Sequence, residues 1–171
     1  VGRVFKELGQ YDRALDHLNL SMAMSRSIND FEGIPYSLDE IGDVMIRKEE
    51  YDSALNTLLK SVNLTRAQKV HVLEPKTLAK LATVHLRTGN YDNALAYYDT
   101  THHLHERTGN DFGIAEVELG RGQVFIQQGK YDEAMRSINR SLSLAKQANA
   151  RTLESRGYES LSKLYELKED Y

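Results

Sequence analysis

The sequence predicts an all-α protein built as a linear array of antiparallel helix pairs. A Tyr-Asp-x-Ala stretch recurs every 40 residues without slippage, and a further tyrosine ends the chain on the same period. The five tyrosines are Tyr11, Tyr51, Tyr91, Tyr131 and Tyr171. Small, apolar and bulky residues around each stretch recur at helical spacings of three and four. A fixed period of this length indicates a repeat architecture in which each unit packs against its neighbours.

Each repeat has the pattern of two amphipathic helices joined by a short turn just before the tyrosine. The first helix carries a small residue, an aliphatic residue and then a bulky one. The second helix carries the Tyr-Asp-x-Ala stretch and a ladder of apolar positions. The predicted helices cover residues 1–9, 11–28, 31–48, 51–68, 73–88, 91–108, 112–128, 131–148 and 150–168.

Glycine, proline and aspartate support these boundaries. Gly9, Gly89 and Gly129 stand where a helix ends in a left-handed residue, a conformation that glycine adopts without steric cost. Pro35 and Pro75 must lie in the first turn of a helix, because the proline ring excludes the carbonyl four residues back. An aspartate in the first turn of each second helix complements the helix dipole. These aspartates are Asp12, Asp52, Asp92 and Asp132.

The motif within the repeat resembles the tetratricopeptide repeat (TPR). The second copy carries it most fully, as Leu38, Ile41, Gly42, Met45, Tyr51, Ala54, Leu58 and Ser61. Period alone favours HEAT or armadillo arrays, which repeat at roughly 40–47 residues, over the 34-residue TPR. The order of small, bulky, glycine, tyrosine and alanine positions decides for the TPR, with helices lengthened by about one and two-thirds turns. The repeat is similar to the long TPRs of kinesin light chains, G-protein-signalling modulators and bacterial signalling proteins.

The resemblance implies a TPR α-solenoid, a right-handed superhelix of about nine helices. We expect a single array over residues 1–171, with repeats at approximately 1–30 (partial), 31–70, 71–110, 111–149 and 150–171 (partial). Because both terminal repeats are incomplete, the sequence is expected to be a fragment of a larger protein. Bare apolar ends, with Val1, Val4 and Phe5 at one and Tyr158, Leu161 and Tyr165 at the other, predict end-to-end self-association.

Composition excludes several classes of function. The net charge of −3 provides no bulk attraction to nucleic acid, and no apolar run is long enough for a membrane span. The absence of cysteine excludes disulfides, thiolate metal sites and a cysteine nucleophile. Hydrophobic residues at 40% and charged residues at 27% are typical of a soluble chain. We expect a cytoplasmic protein, with an extracytoplasmic sensor segment as the alternative.

No constellation of residues indicates catalysis, a cofactor or a metal. The run His102-His103-Leu104-His105 puts His102 and His105 on one helix face at i, i+3, a spacing that a metal could use. No motif supplies a third ligand. His102 also stands where the sister repeats have Met22, Val62 and Leu142, which favours a packed side chain. Phosphate-binding and nucleophile motifs are absent as well, so we expect a protein that is not an enzyme.

The function is therefore expected to depend on a surface. In TPR arrays the first helices line a concave groove that holds the partner, and long polar side chains suit an extended peptide or a helix. Seven of the groove positions are basic and four are acidic, and the alternative is a merely solvated charged face. The groove positions are Arg3, Lys6, Tyr36, Asp39, Asp43, Arg47, Lys76, Thr83, Arg87, Glu116, Leu119, Gln123, Gln127, Arg156, Glu159 and Lys163.

A two-carboxylate clamp of the kind found in chaperone-binding TPRs is disfavoured. Lys76 and Lys80 match its basic pair, but Glu40 and Arg3 stand where the clamp has asparagines. We therefore expect a protein- or peptide-binding scaffold of another specificity. The alternative is a sensory or regulatory TPR segment of a larger bacterial signalling protein, such as a kinase, cyclase or transcription regulator.

The fourth repeat departs from the pattern in its first helix. Glu118 and Arg121 replace residues that are apolar in the sister repeats, and Gly120 and Gly122 flank the arginine. An unpaired buried charge is costly, so the two side chains should pair, reach across the repeat interface or remain hydrated. One interpretation is a helix rotated so that Val117, Val124 and Phe125 carry the packing. The other is a soft joint that lets the array change pitch.

Overall fold

The computed structural model describes residues 1–169, and this part of the chain forms nine α-helices without a β-strand. The helices are α1 (Gly2–Glu7), α2 (Tyr11–Ser27), α3 (Gly33–Arg47), α4 (Tyr51–Ala67), α5 (Glu74–Arg87), α6 (Tyr91–Thr108), α7 (Asp111–Gln127), α8 (Tyr131–Gln147) and α9 (Arg151–Glu169). The all-α prediction is confirmed, and every predicted boundary lies within two residues of the observed one. Tyr171, the last tyrosine of the period, lies outside the described residues.

The chain forms two compact units, which divide between Thr88 and Gly89. The first unit contains α1 to α5, and the second contains α6 to α9. Within each unit, consecutive helices pack together, as do the first helices α3 with α5 and α7 with α9. Within each unit the helices therefore stack in chain order, and the first helices lie side by side.

The Tyr-Asp-x-Ala stretch contributes to packing in both units. Ala14 and Ala134 are completely buried, which lets the two helices of a pair approach closely. Tyr11 packs partly buried against a cluster that contains Ile41 and Val44 of the following helix pair. Tyr131 packs in the same way against the core of the second unit. The tyrosine thus contacts the core between successive repeats.

Small residues on the first helices are required by the second helices that pack on them. A Cβ added at Gly42 would lie 2.5 Å from Leu58 Cδ2, and one added at Gly122 would lie 2.6 Å from Ile138 Cγ1. Ser61 Oγ donates a hydrogen bond of 2.8 Å to the carbonyl of Pro35, and Ser141 Oγ donates the equivalent bond of 2.6 Å to the carbonyl of Ala115. Both hydroxyls are buried, so these bonds link α4 to α3 and α8 to α7, the first helices of their own pairs.

The predicted left-handed helix ends are present. Gly9, Gly89 and Gly129 have φ values of 72°, 76° and 71°. Glu49 occupies the same position in the second repeat with a φ of 61°, although it has a side chain. A non-glycine residue in this region costs about 1–2 kcal/mol. The repeat therefore retains its turn geometry even where the glycine is missing.

Candidate functional site: a charged cluster on the first helices

The first helices of unit 1 carry a cluster of ion pairs, here called the charged cluster. Its members are Arg3, Lys6, Asp39, Glu40, Asp43, Lys76, Thr77 and Lys80. Lys6 Nζ on α1 lies 2.7 Å from Glu40 Oε2 on α3, and it also donates a hydrogen bond to Asp43. Lys76 Nζ on α5 lies 3.1 Å from the other oxygen of Glu40. Glu40 thus joins three consecutive first helices.

Asp39 forms the second centre of the cluster, with only 1% of its surface exposed. Lys80 Nζ lies 2.8 Å from its Oδ2, and the Thr77 hydroxyl donates a 2.9 Å hydrogen bond to Oδ1. Lys76 Nζ approaches the same carboxylate at 3.4 Å. A carboxylate removed from water needs compensating charge and donors, and α5 supplies both.

These contacts hold the cluster in its charged form. Burial alone raises the pKa of Glu40, but the hydrogen bond from Lys6 and the charges of Lys80 and Lys76 lower it to about 2. Burial lowers the pKa of Lys6, and its hydrogen bonds with Asp43 and Glu40 raise it by more, so the net shift is upward. Lys76 shows the same balance, with Asp39 and Glu40 raising its pKa. Glu40, Lys6 and Lys76 are therefore ionised at neutral pH.

The outer edge of the cluster faces solvent. The side chain of Arg3 is 74% exposed and that of Lys76 is 50% exposed, although each contacts the buried Glu40. Arg47 lies further along α3, where Nη2 is 3.2 Å from Glu7 Oε1 on α1. Tyr36 is exposed on the first part of α3. Long basic side chains thus stand at the surface, with their positions set by carboxylates beneath.

The predicted groove residues of unit 1 differ in accessibility. Arg3, Tyr36, Arg47, Lys76 and Arg87 are exposed. Asp43 is half-buried and bonded to Lys6, whereas Lys6 and Asp39 are buried as the inner layer of the cluster. Thr83 is half-buried, and its hydroxyl donates to the carbonyl of Ala79 at 3.0 Å. Asp39 is thus placed to orient lysines, beneath the surface that a partner would contact.

The predicted groove residues of unit 2 lie on α7 and α9. Glu116, Gln127, Arg156, Glu159 and Lys163 are exposed, and Gln123 is half-buried. Leu119 is completely buried in the hydrophobic core of this unit. Its position on the first helix matched the groove stripe, but its apolar side chain packs inward.

Sequence reasoning missed the central role of Glu40 and Lys80. A signal was present in the separation of complementary charges along the chain. Lys6 and Glu40 are 34 residues apart, and Asp39 and Lys80 are 41 apart, so each pair spans about one repeat. In a stack of first helices, residues one period apart are neighbours, and opposite charges at that separation predict contact.

A second polar cluster lies on α6 and α7 of unit 2. His102 Nδ1 lies 3.5 Å from Glu106 Oε1, and His103 Nδ1 lies 3.2 Å from Glu106 Oε2. His102 is buried, as predicted from its sister positions, and its Nε2 lies 3.4 Å from Glu118 Oε1. His105, its predicted neighbour on the helix face, instead contacts the Asn110 amide at 3.2 Å.

Glu118 and Arg121 are paired, which is one of the three outcomes expected for the fourth repeat. Arg121 Nη1 lies 3.8 Å from Glu118 Oε1, and Arg140 Nη1 on α8 approaches the same oxygen at 3.2 Å. Arg121 also contacts Asp99 on α6 at 3.4 Å. Val117 and Val124 are buried, in keeping with the packing interpretation of this helix.

Some of the apolar side chains that were predicted to be bare at the two ends are exposed, and others are packed. Val4, Tyr158 and Tyr165 are 61%, 49% and 51% exposed, respectively. Phe5 is instead half-buried, because it stacks on His17 at 5.1 Å and lies beneath the Arg13 guanidinium at 4.0 Å. Across residues 1–169, no helix combines the length and the apolar character that crossing a membrane requires.

The repeats match a known family. The model of the Tetratricopeptide repeat family matches residues 73–147, which contain the whole of α5, α6, α7 and α8. Over these residues the chain is similar to tetratricopeptide repeat proteins. The TPR fold typically serves as a non-catalytic scaffold for interactions between proteins. No curated protein matches the chain by sequence.

Solved TPR structures share the fold over nearly the whole chain. A Rap protein complexed with Competence and Sporulation Factor has a TM-score of 0.84 at 13% identity. The alignment covers 99% of this chain and 51% of the Rap protein. A second similar structure is a Signal Transduction ATPase with Numerous Domains (STAND) protein with a tetratricopeptide repeat sensor, from Pyrococcus horikoshii. Its TM-score is 0.80 at 18% identity, and the alignment covers 96% of this chain and 26% of the STAND protein. The TPR-like repeats of a putative kinesin light chain from Podosopora anserina have a TM-score of 0.67 at 13% identity. That alignment covers 98% of this chain and 86% of the kinesin light chain structure. This chain thus spans about half of the Rap protein and a quarter of the STAND protein.

Proposed function

We propose that this chain is a protein- or peptide-binding scaffold whose binding surface is formed by the first helices of its repeats. The observation that carries the proposal is the charged cluster, in which buried carboxylates hold exposed basic side chains in place. Arg3 and Lys76 both contact Glu40, whose side chain is only 10% exposed. Such an arrangement presents cations to solvent in defined positions.

Preorganisation is the physical reason that this surface suits binding. Ordering a long side chain on association costs about 0.5–1.5 kcal/mol, and a side chain already held by an ion pair avoids part of that cost. Arg3, Arg47 and Lys76 retain exposed donors beyond the carboxylates that orient them. The partner class that fits is a segment with acidic side chains, extended or helical, lying across α1, α3 and α5.

The internal ion pairs also argue against capture of a terminal carboxylate by a lysine clamp. Lys80 Nζ contacts Asp39 through both the side chain and the backbone carbonyl, at 2.8 and 3.0 Å. Lys76 is divided between Asp39 and Glu40. A terminal carboxylate would have to displace these buried acceptors. Acidic side chains that contact the outer edge, at Arg3, Arg47 and Arg87, need no such displacement.

A sensory segment within a larger signalling protein is the second candidate. The similarity to the STAND protein with a tetratricopeptide repeat sensor favours it, because this chain aligns over 96% of its own length with a quarter of that protein. Both candidates use the same binding surface, and they differ in whether binding is transmitted to another domain.

The experiment is selection of ligands from a displayed peptide library, followed by calorimetry of the selected peptides. We expect enrichment of acidic sequences, and loss of their binding in the Arg3→Glu, Arg47→Glu variant. The matched control is Lys60→Glu, which reverses an exposed charge on a second helix and should leave affinity unchanged. Selection of peptides that bind the wild type and the Arg3→Glu, Arg47→Glu variant equally would place the binding surface elsewhere.

A further inference from the structure

We propose that His102, His103 and Glu106 on α6 form a binding site for a divalent transition-metal ion, with Zn²⁺ as the preferred ion. Each side chain offers one ligand atom, and the three atoms lie within 4.8 Å of one another. The site is separate from the charged cluster and independent of the proposed partner surface. It uses two imidazole nitrogens and a carboxylate, a donor set that suits zinc.

The distances are close to those of a coordination shell. Ligand bonds of about 2.0–2.1 Å at tetrahedral angles put neighbouring ligand atoms about 3.3 Å apart. Glu106 Oε1 lies 3.5 Å from His102 Nδ1, and Glu106 Oε2 lies 3.2 Å from His103 Nδ1, so each histidine nitrogen is near one oxygen of the carboxylate. The ligand atoms of His102 and His103 lie within 4.8 Å of each other, and the His103 side chain is 76% exposed.

The environment of His102 is a second, independent observation. Its side chain is 9% exposed, and its Nε2 lies 3.4 Å from Glu118 Oε1. Both of these buried atoms lack a hydrogen-bond partner of good geometry. A metal on Nδ1 requires the tautomer with a proton on Nε2, and Glu118 Oε1 lies 3.4 Å from that nitrogen. A carboxylate behind a histidine ligand is the usual support that fixes ring orientation in metal sites.

Glu118 is itself held in place for this role. Arg140 and Arg121 approach its Oε1 at 3.2 and 3.8 Å, and Asp99 contacts Arg121. The carboxylate is thus held behind His102, while Glu106 lies on the other side of the ring and is half-exposed.

The arrangement replaces the histidine pair suggested by helix periodicity. His105 contacts Asn110, and its ring fills the space that a Cβ on Gly113 would occupy, at 2.5 Å. It therefore lies outside the ligand set. With three protein ligands, a tetrahedral ion keeps a fourth position open to solvent, because Glu106 and His103 lie at the surface.

The experiment is calorimetric titration of the tag-free, chelator-treated chain with Zn²⁺, together with histidine ¹H–¹⁵N NMR. We expect one ion per chain, with the ring signals of His102 and His103 shifted to the pattern of Nδ1 coordination and Nε2 protonation. His103→Ala and Glu106→Gln should each weaken Zn²⁺ binding at least about tenfold. Glu118→Gln should weaken it by about 10–100-fold, as loss of a supporting carboxylate does elsewhere.

The matched control is His71→Ala, which removes an exposed histidine of unit 1 and should leave affinity and stoichiometry unchanged. Circular dichroism of each variant checks that the helices remain intact, and His103→Ala removes an exposed ring that the fold does not need. Absence of stoichiometric Zn²⁺ binding at 100-fold excess of ion over a micromolar chain would overturn the site. Unchanged affinity in the His103→Ala, Glu106→Gln double variant would overturn it equally.

Discussion

Lys6 Nζ on α1 lies 2.7 Å from Glu40 Oε2 on α3, and both side chains are buried. The pKa of Glu40 is lowered from 4.5 to about 2, because Lys6, Lys80 and Lys76 stabilise its ionised form more than burial destabilises it. A carboxyl with a depressed pKa in the folded state stabilises the fold above its unfolded pKa. Its contribution is lost as the pH falls from about 4.5 through about 2.

Glu40→Gln should therefore lower the free energy of unfolding at pH 7 by on the order of 3 kcal/mol. The difference from the wild type should shrink as the pH falls from 4.5 toward 2, as measured by urea unfolding at a series of pH values. Glu7→Gln is the control, since Glu7 is largely exposed and its pair with Arg47 should contribute less than about 1 kcal/mol. A Glu40→Gln deficit that is the same at pH 7 and pH 2.5 would contradict the linkage.

Gly120→Ala should destabilise the protein, contrary to the usual effect of this substitution in a helix. Alanine is ordinarily favoured over glycine by about 0.5–1 kcal/mol. Here the new Cβ would lie 2.4 Å from Tyr98 Cζ, in a buried contact between α6 and α7. Overpacking of this kind costs about 1–3 kcal/mol. Chemical unfolding of the wild type and variant measures the change.

Tyr98→Leu provides the test of this mechanism. The sister repeats have leucine at this position, in Leu18 and Leu58, and the smaller side chain leaves room for a Cβ on α7. The double variant Tyr98→Leu, Gly120→Ala should be more stable than the sum of the two single changes predicts. Additive effects would show that Tyr98 does not restrict this position.

Arg47→Glu combined with Arg87→Glu should abolish partner binding with little effect on stability. Both side chains are exposed on first helices, and surface ion pairs such as Arg47 with Glu7 contribute at most about 1 kcal/mol. Calorimetry with a selected acidic peptide and thermal unfolding of the same sample give both quantities. A loss of stability as large as the loss of binding energy would indicate that these arginines are structural. Lys76 and Gln123 are the next positions to substitute in this series.

Amides of residues 118–123 should exchange with solvent as slowly as those of residues 41–45. Gly120 and Gly122 lie under Tyr98 and Ile138, so the two glycines create close packing in place of a flexible segment. Arg140 and Arg121 also pair with Glu118. Native-state hydrogen exchange measures the comparison directly. Exchange at least tenfold faster over residues 118–123 would instead support the soft joint.

The exposed apolar ends should produce concentration-dependent association. Val4 and Tyr165 are both more than half exposed on α1 and α9. We expect sedimentation velocity to show larger species as concentration rises, and the Val4→Glu, Tyr165→Glu variant to remain monomeric. Val72→Glu, at an 83% exposed position in a turn, is the control. A single monomeric species of the wild type across the whole concentration range would disprove self-association.

The sequence by itself determined the helices and their order. The 40-residue period, the prolines at 35 and 75 and the glycines at 9, 89 and 129 define boundaries within two residues, and α6 begins and ends where predicted. These features are local: a left-handed glycine or a proline acts on the neighbouring turn of backbone. The comparison of repeats also predicted that the His102 side chain is packed, and the side chain is buried.

The tertiary structure alone decided which side chains meet. Asp39 was expected at the partner surface, but it lies beneath Lys76 and Lys80, and Leu119 turns into the core of unit 2. His102 faces Glu106 and Glu118, which lie on two different helices. The physical reason is that helix periodicity places a residue on a stripe about 100° wide. Whether its side chain is exposed or paired depends on the rotation and spacing of the neighbouring helix. In the charged cluster, the residues that pair across helices are 34 to 41 positions apart in the sequence.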